Sequence, residues 1–265
     1  MSFAPQDALL DAPANRVPAV TVDFWLIKLM AVTMGETAAD YLAVNMGLGL
    51  TATSILMAAL LCVALIVQFA QKRYVPWAYW LSVVLISIVG TLVTDNLTDN
   101  FGVPLAISTV LFGGLLLATF AIWYGSERTL SIHAIFTTRR EIFYWLAILF
   151  TFALGTAAGD LAAEYFELGY LTTGLIFAGL IGLIAIGYYF LHVDGILAFW
   201  LAYILTRPLG ASFGDLLSQP LEYGGLGMGT VLTSAIFLLC ILSIVGFMTV
   251  AQADARYAAM PDRSD

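Results

Sequence analysis

The sequence predicts an all-α membrane protein with eight transmembrane helices, which form four tandem parallel helical hairpins in two pseudo-symmetric four-helix halves. Composition is one reason, because 61% of the 265 residues are hydrophobic and 11% are charged, whereas soluble domains are about one quarter charged. The other reason is a set of eight apolar runs, each near the roughly 20 residues that cross a bilayer. The runs lie near residues 24–44, 52–71, 79–98, 104–124, 143–163, 171–191, 196–216 and 228–250.

A motif recurs in the four odd-numbered runs. It reads aromatic residue, Trp, Leu, eight residues, Gly, four residues, Asp, as in YWLAILFTFALGTAAGD from Tyr144. The repeated positions are Trp25, Trp80, Trp145 and Trp200; Gly35, Gly90, Gly155 and Gly210; and Asp40, Asp95, Asp160 and Asp215. Copies one and two map onto copies three and four at one constant offset, which indicates that a hairpin was duplicated and then the pair was duplicated.

The repeats predict the domain organisation. An N-terminal tail (1–23) precedes the first four-helix half (24–124), which holds repeats one and two. A linker (125–142) leads to the second half (143–250), and a C-terminal tail (251–265) follows.

Basic residues outside the runs all fall on one side of the predicted membrane. They are Arg16, Lys72, Arg73, Arg128, Arg139, Arg140, Arg256 and Arg263. Because Lys and Arg collect on the cytoplasmic side of a membrane, we expect both termini to be cytoplasmic. All four repeats would then run from inside to outside, as repeats related by an axis along the membrane normal.

Four acids are expected at one level in the outer half of the bilayer. Asp40 lies about 24 Å along its helix from Phe24, at a rise of 1.5 Å per residue, and the other motif acids are equivalent. Glu36 occurs in one copy, a turn deeper and on the same face. An ionisable group at membrane depth indicates a functional site by default, and carboxylate oxygens suit Mn²⁺, Mg²⁺ and Ca²⁺. We therefore expect Asp40, Asp95, Asp160, Asp215 and Glu36 to bind a metal ion.

Further polar residues extend this expectation. The supporting oxygen donors are Thr91, Thr94, Thr156 and Asn96. Lys28 and Arg207 lie within the runs and would neutralise part of the acid cluster or gate it, or else extend their charges towards water as snorkelling side chains. Asp99 and Glu164 would form an acidic outer vestibule that concentrates cations, or would be ordinary solvated loop charges.

The glycines and tryptophans favour structural roles. Each motif Gly is followed four residues later by a small residue, a spacing that lets helix backbones approach closely, so the glycines are predicted packing sites. The tryptophans begin each run near the cytoplasmic side, where they are expected to form an aromatic belt at the membrane interface.

The four hairpins resemble a bacterial membrane-protein family described as a tandem repeat of unknown function. The stretch PAVTVDFWLIKLMAVTMGETAADYL, from Pro18, is similar to its N-terminal repeat, and the resemblance extends from about residue 18 to 250. That family has four copies, each with two spans and a characteristic tryptophan. The resemblance implies an eight-span protein of the bacterial inner membrane and supplies no activity.

The leading functional hypothesis is a transporter or exporter of a hard divalent cation, with Mn²⁺ favoured and Mg²⁺ or Ca²⁺ as alternatives. The cation would be a substrate exchanged for protons, and no permanently bound cofactor is expected. One alternative is a non-transporting scaffold whose aspartates accept hydrogen bonds from the next helix and staple each hairpin. Another is a monovalent cation/proton exchanger.

Other classes of function and partner are less consistent with the residues. An enzyme is not expected, because no nucleophile–base pair is evident. A net charge of −8 with no extended basic cluster argues against nucleic-acid binding. The expected partners are the lipid bilayer and the cation, and a homo-oligomer is compatible with the sequence.

Overall fold

Eight long helices make up most of the described chain. The computed structural model describes residues 14–258, without the side chains of Glu164 and residues 253–258. The helices are α1 (Val22–Asp40), α2 (Leu50–Phe69), α3 (Pro76–Asp95), α4 (Leu105–Glu127), α5 (Thr138–Asp160), α6 (Gly169–Leu191), α7 (Gly195–Ser218) and α8 (Thr230–Ala258). The predicted all-α fold is confirmed.

Seven of these helices, α2 to α8, are long and apolar enough to span a membrane. The protein is therefore a multi-pass membrane protein by helix length and hydropathy. Helix α1 falls short because it holds Asp23, Lys28, Glu36 and Asp40 within 19 residues. Its charges are tolerated because most of α1 is buried among other helices.

The odd-numbered helices form a closed inner ring. Helix α1 packs against α3, α3 against α5, α5 against α7, and α7 against α1. We call the line that these four helices surround the central axis. In the most apolar stretch of α3, α5 and α7, 61–78% of the residues are buried, against 11–22% in the even helices. The even helices therefore form an outer layer.

Each outer helix packs against the inner helix that follows it in the repeat order. Helix α2 lies on α3, α4 on α5, α6 on α7, and α8 on α1. The contact between α8 and α1 joins the last repeat to the first and completes a pseudo-fourfold arrangement. The two halves recognised in the sequence consequently interlock.

The inner helices begin with local signals at one end of the bundle. Thr21 and Thr137 accept hydrogen bonds from backbone N–H groups in the first turns of α1 and α5, and Asp194 does so for α7. Pro76 begins α3, where its missing N–H costs nothing. Lys72, Arg73, Arg128, Arg139 and Arg140 lie in or beside the loops at this end, which we call the basic end. The opposite end, where the motif aspartates lie, is the acidic end.

The motif aspartate of the first three repeats leads into a π-helical turn. The π turns are Tyr41–Asn45, Asn96–Asn100 and Leu161–Tyr165. The sequence places these acids just before the loop, but the structure continues the helix for five more residues.

Residues 14–20, from the predicted N-terminal tail, lie across the basic end. The Asn15 side chain donates to the carbonyl of Ile132 at 2.9 Å, and its backbone carbonyl accepts from Tyr74 N at 2.9 Å. Arg16 forms a 2.7 Å ion pair with Glu141, whose side chain is fully buried. This segment ties the loop after α2 to the loop between the halves.

The helix bounds adjust the predicted linker and tails. The linker 125–142 contains the last turn of α4 and the first turn of α5, and α8 extends eight residues into the predicted C-terminal tail. Residues 1–13 and 259–265 lie outside the described residues, as does Arg263. The side chain of Arg256 is likewise outside the description.

Candidate functional site

The four motif glycines bring the inner helices together at the level where the site is built. A Cβ added at Gly35 would lie 2.6 Å from Ser87 Cβ on α3, and one at Gly90 would lie 2.6 Å from Phe152 Cβ on α5. The corresponding residues facing the other two glycines are Arg207 for Gly155 and Val32 for Gly210. Each glycine thus meets the same motif position of the next repeat. No larger residue fits without moving a helix.

An aromatic layer closes the central axis towards the basic end. The aromatic residue before each Trp contacts the Trp of the next repeat around the ring. The pairs, with ring-centroid distances, are Phe24–Trp80 at 5.7 Å, Tyr79–Trp145 at 5.5 Å, Tyr144–Trp200 at 6.2 Å and Phe199–Trp25 at 5.7 Å. We call these eight residues the aromatic layer. The hydroxyls of Tyr79 and Tyr144 are also hydrogen-bonded, at 2.5 Å.

The tryptophans take part in contacts between helices. Trp80, Trp145 and Trp200 are buried between helices, and Trp25 is half-buried. Trp80 donates its ring N–H to the Tyr74 hydroxyl at 3.1 Å, and Trp200 donates to the Leu130 carbonyl at 2.9 Å. These three tryptophans thus pack between helices, and their position at the membrane interface stays a prediction.

A buried ion pair lies on the axis above the aromatic layer. Arg207 on α7 donates from Nη2 to Glu36 Oε2 on α1 at 2.6 Å. The same nitrogen, which carries two N–H groups, lies within hydrogen-bonding distance of the hydroxyl of Thr91 on α3 and, at 2.8 Å, of that of Thr156 on α5. Thr91 in turn donates to Glu36 Oε2 at 3.2 Å. We call these four residues the Glu36 layer, and each inner helix contributes one of them.

Arg207 enters this layer from one turn nearer the basic end. In the fourth repeat, the position equivalent to Glu36, Thr91 and Thr156 is Ala211, which carries no polar group. Arg207 is 1% exposed, and its Nε and Nη1 atoms have no hydrogen-bond partner within residues 14–258. The guanidinium consequently keeps unused donors in the interior.

Lys28 lies two turns from Glu36 on α1, immediately above the aromatic layer. Its amine donates to the Tyr203 carbonyl at 2.8 Å and to the Thr206 hydroxyl. The nitrogen also lies 3.7 Å from the centre of the Tyr203 ring. Lys28 is 1% exposed, so it does not extend its charge to the membrane surface.

The motif aspartates lie at the acidic end, beyond the Glu36 layer. Asp40, Asp95 and Asp160 are half-buried, and Asp215 is 9% exposed. Asp40 accepts a 3.4 Å hydrogen bond from Gln219. Asp95 lies within electrostatic reach of Glu36, Asp40 and Asp99. The acids therefore share one end of the axis.

The five predicted metal ligands are not assembled into one cluster. Within the described part of the chain, no group of three Asp, Glu, His or Cys side chains is arranged to hold a metal ion. Glu36 is instead paired with Arg207, one turn deeper than the aspartates. Arg207, which was predicted to neutralise part of the acid cluster, therefore binds Glu36, one of the predicted metal ligands, in this conformation.

The supporting polar residues divide between the axis and the helix contacts. Thr91 and Thr156 belong to the Glu36 layer. Thr94 donates to the Ala153 carbonyl at 3.0 Å and holds α3 against α5. Asn96 donates to Ser54 at 2.7 Å and links the π turn to α2. Both contacts are structural.

The predicted vestibule is described only in part. Asp99 is exposed in the second π turn. The side chain of Glu164 is outside the described residues, although its backbone lies in the third π turn.

Several residues on the axis were not predicted from the sequence. Tyr203 and Thr206 hold the Lys28 amine, and Tyr79 and Tyr144 pair their hydroxyls inside the aromatic layer. The sequence does mark the two tyrosines, because an aromatic residue precedes the Trp in every copy of the motif. Nothing in the spacing alone indicated the carbonyl and hydroxyl that bind the lysine.

Comparison with known proteins identifies a family. No curated protein and no solved structure matches the chain. A family model described as Repeat of Unknown Function (DUF347) matches residues 24–74, 78–129, 143–193 and 198–254, which are the four hairpins. The chain belongs to this family of four tandem repeats of unknown function.

Proposed function

We propose that the protein transports a hard divalent cation across the membrane in exchange for protons, with Mn²⁺ as the first candidate. The observation that carries this proposal is the Glu36–Arg207 pair at 2.6 Å, enclosed by four helices. Ionisable groups within a membrane bundle are costly, and they commonly mark ion pathways.

The acids at the acidic end support a cation as the substrate. The four motif aspartates lie at the acidic end, and Asp95 is within reach of the negative charges of Glu36, Asp40 and Asp99 as well as of the positive charge of Arg207. Like-charged carboxylates close together favour bound cations or protons. Their oxygen atoms suit Mn²⁺, Mg²⁺ and Ca²⁺ better than soft metals.

The Glu36 layer supplies a means of coupling. In the described conformation Arg207 neutralises Glu36. A proton or an incoming cation that neutralises Glu36 would release the guanidinium, which retains its 2.8 Å contact with Thr156. Because one carboxylate is neutralised by one partner at a time, protons and metal ions compete there, and that competition is the basis of exchange.

Orientation and motion complete the proposal. The basic end would face the cytoplasm of a bacterial cell, following the distribution of Lys and Arg. Access would alternate by movement of the repeats around the axis. The aromatic layer closes the axis towards the basic end, so this conformation would correspond to the state closed to the cytoplasm.

Metal flux into proteoliposomes tests the proposal. Vesicles containing a Mn²⁺-quenched dye and purified protein receive external Mn²⁺, and the quenching rate is compared with protein-free vesicles. We expect uptake with the native protein, its loss with Glu36→Gln, and native uptake with Glu222→Gln, which removes an exposed acid at the acidic end. Uptake by Glu36→Gln at the native rate would contradict the proposal.

A non-transporting scaffold is the second candidate. It is favoured by the regular contacts around the ring, since every motif Gly and every motif aromatic residue has a packing role. A scaffold predicts no flux of any cation. The same vesicles with imposed Na⁺ or K⁺ gradients and an internal pH dye test the monovalent exchanger.

A further inference from the structure

Lys28 places its amine in the interior, where the described residues provide no acidic partner for it. None of the described carboxylates forms an ion pair with it. The ion pairs between described side chains involve Arg16, Arg139, Arg140 and Arg207. A buried ammonium without a counter-ion is costly unless polar groups replace its water. The surroundings of the amine must therefore supply that stabilisation.

Those surroundings are a set of cation-binding groups on one turn of α7. The Thr206 hydroxyl donates its proton to the Tyr203 carbonyl at 2.7 Å, so its oxygen is free to accept from Lys28. The Tyr203 carbonyl accepts from the amine at 2.8 Å. The Tyr203 ring presents its negative face at 3.7 Å, a favourable distance for a cation.

These groups lie beside the Glu36 layer, towards the basic end. Thr206 directly precedes Arg207 on α7, and the Lys28 nitrogen and the Arg207 guanidinium lie 5.8 Å and 5.7 Å from the centre of the Phe152 ring. Lys28 is eight residues before Glu36, or about 12 Å along α1 towards the basic end. Phe24, one turn below, belongs to the aromatic layer and lies 6.4 Å from the Tyr203 ring. We call the space that the Lys28 side chain occupies, between the aromatic layer and the Glu36 layer, the compartment.

We propose that the Tyr203 carbonyl, the Thr206 hydroxyl and the Tyr203 ring form a primary-ammonium site, which the Lys28 side chain fills as a tethered cation. The site is defined by α7 and exists independently of the lysine. One consequence rests on the transport proposed above. A cation that crosses the bundle must pass Lys28 at this point.

Chemical rescue tests the site without any transport measurement. Lys28→Ala removes three methylene groups and the amine, a gap that n-propylammonium matches. We expect the unfolding temperature of purified Lys28→Ala to rise saturably with n-propylammonium chloride, because a ligand that binds the folded state stabilises it. Equal concentrations of tetramethylammonium chloride, which has no N–H donor, and of 1-propanol, which has no charge, should not reproduce the rise.

Two variants make the result specific. Lys28→Met fills the compartment without a charge and should show no response to n-propylammonium. Thr206→Val combined with Lys28→Ala removes one acceptor, and the apparent affinity should weaken by about tenfold, since a hydrogen bond to a charged group is lost.

The outcomes separate clearly. Equal responses to n-propylammonium and tetramethylammonium, or a response of Lys28→Met as large as that of Lys28→Ala, would overturn the proposal. If Lys28→Ala cannot be purified alone, purification with n-propylammonium but not with 1-propanol supports the site. Failure with both additives, while Lys28→Met is recovered normally, overturns it.

Discussion

Removing Arg207 should destabilise the protein chiefly by leaving Glu36 without its counter-charge. The two groups are 2.6 Å apart, and their side chains are 1% and 8% exposed. At an effective dielectric constant of about 20, the attraction at that distance is about 6 kcal/mol, which is offset in part by the cost of burying both charges. Breaking a buried pair by removing one partner costs about 3–5 kcal/mol, and we expect that loss for Arg207→Met.

A double-mutant cycle isolates this interaction. With Glu36→Gln in the same chain, the neutral amide needs no counter-charge, so the double variant should be more stable than the sum of the single changes predicts. Unfolding in mixed micelles, followed by circular dichroism, gives the free energies. Arg139→Met is the matched control, since its side chain is 65% exposed and its contact with Glu127 is 3.5 Å, and a loss below about 1 kcal/mol is expected. Additive single changes, or an Arg207→Met variant as stable as the control, would refute the reasoning.

Three further predictions follow from other parts of the bundle. Gly90→Ala places a methyl group against α5 and should cost about 1–3 kcal/mol of unfolding free energy, whereas Gly246→Ala, with open space at its Cβ, should cost nothing in the same titration. Burial raises the pKa of Tyr74 from near 10 to about 12, so the folded chain keeps a proton that the unfolded chain releases. Stability should fall as the pH rises from 10 to 12, and Tyr74→Phe should reduce that fall in alkaline unfolding curves; an unchanged slope would contradict the assignment. Glu141→Ala removes the partner of Arg16, and hydrogen exchange of the Arg16 amide should accelerate; unchanged protection would show that the pair does not hold the N-terminal segment.

The repeat pattern predicted the architecture because its physical causes are local. Apolar runs of about 20 residues specify spanning helices, and the small residue at Gly90 or Gly155 specifies where two helices approach closely. The sequence also placed Glu36 and Arg207 on one broad helical face. These features depend on composition and helical periodicity, which are visible in a single chain.

Which helices pack against each other was harder to predict from the sequence. The pairing of each outer helix with the following inner helix depends on the fit of the whole ring. The position of Trp80 and Trp200 along their helices predicts that they lie near the membrane interface. It does not predict the aromatic residues of the neighbouring helices that pack against them. The π turn after Asp95 matches no residue pattern in the sequence that could predict it.

Proton movement accompanying Mn²⁺ uptake tests the central claim most directly, namely that the Glu36 layer exchanges a metal ion for protons. Proteoliposomes with an internal pH dye and an internal Mn²⁺ dye, at equal starting pH on both sides, receive an external Mn²⁺ pulse. The proposed mechanism predicts that the interior becomes alkaline as Mn²⁺ enters, and that Glu36→Gln abolishes both signals. The mechanism would be contradicted if vesicles that contain correctly folded protein showed the same Mn²⁺ entry and the same pH change as protein-free vesicles.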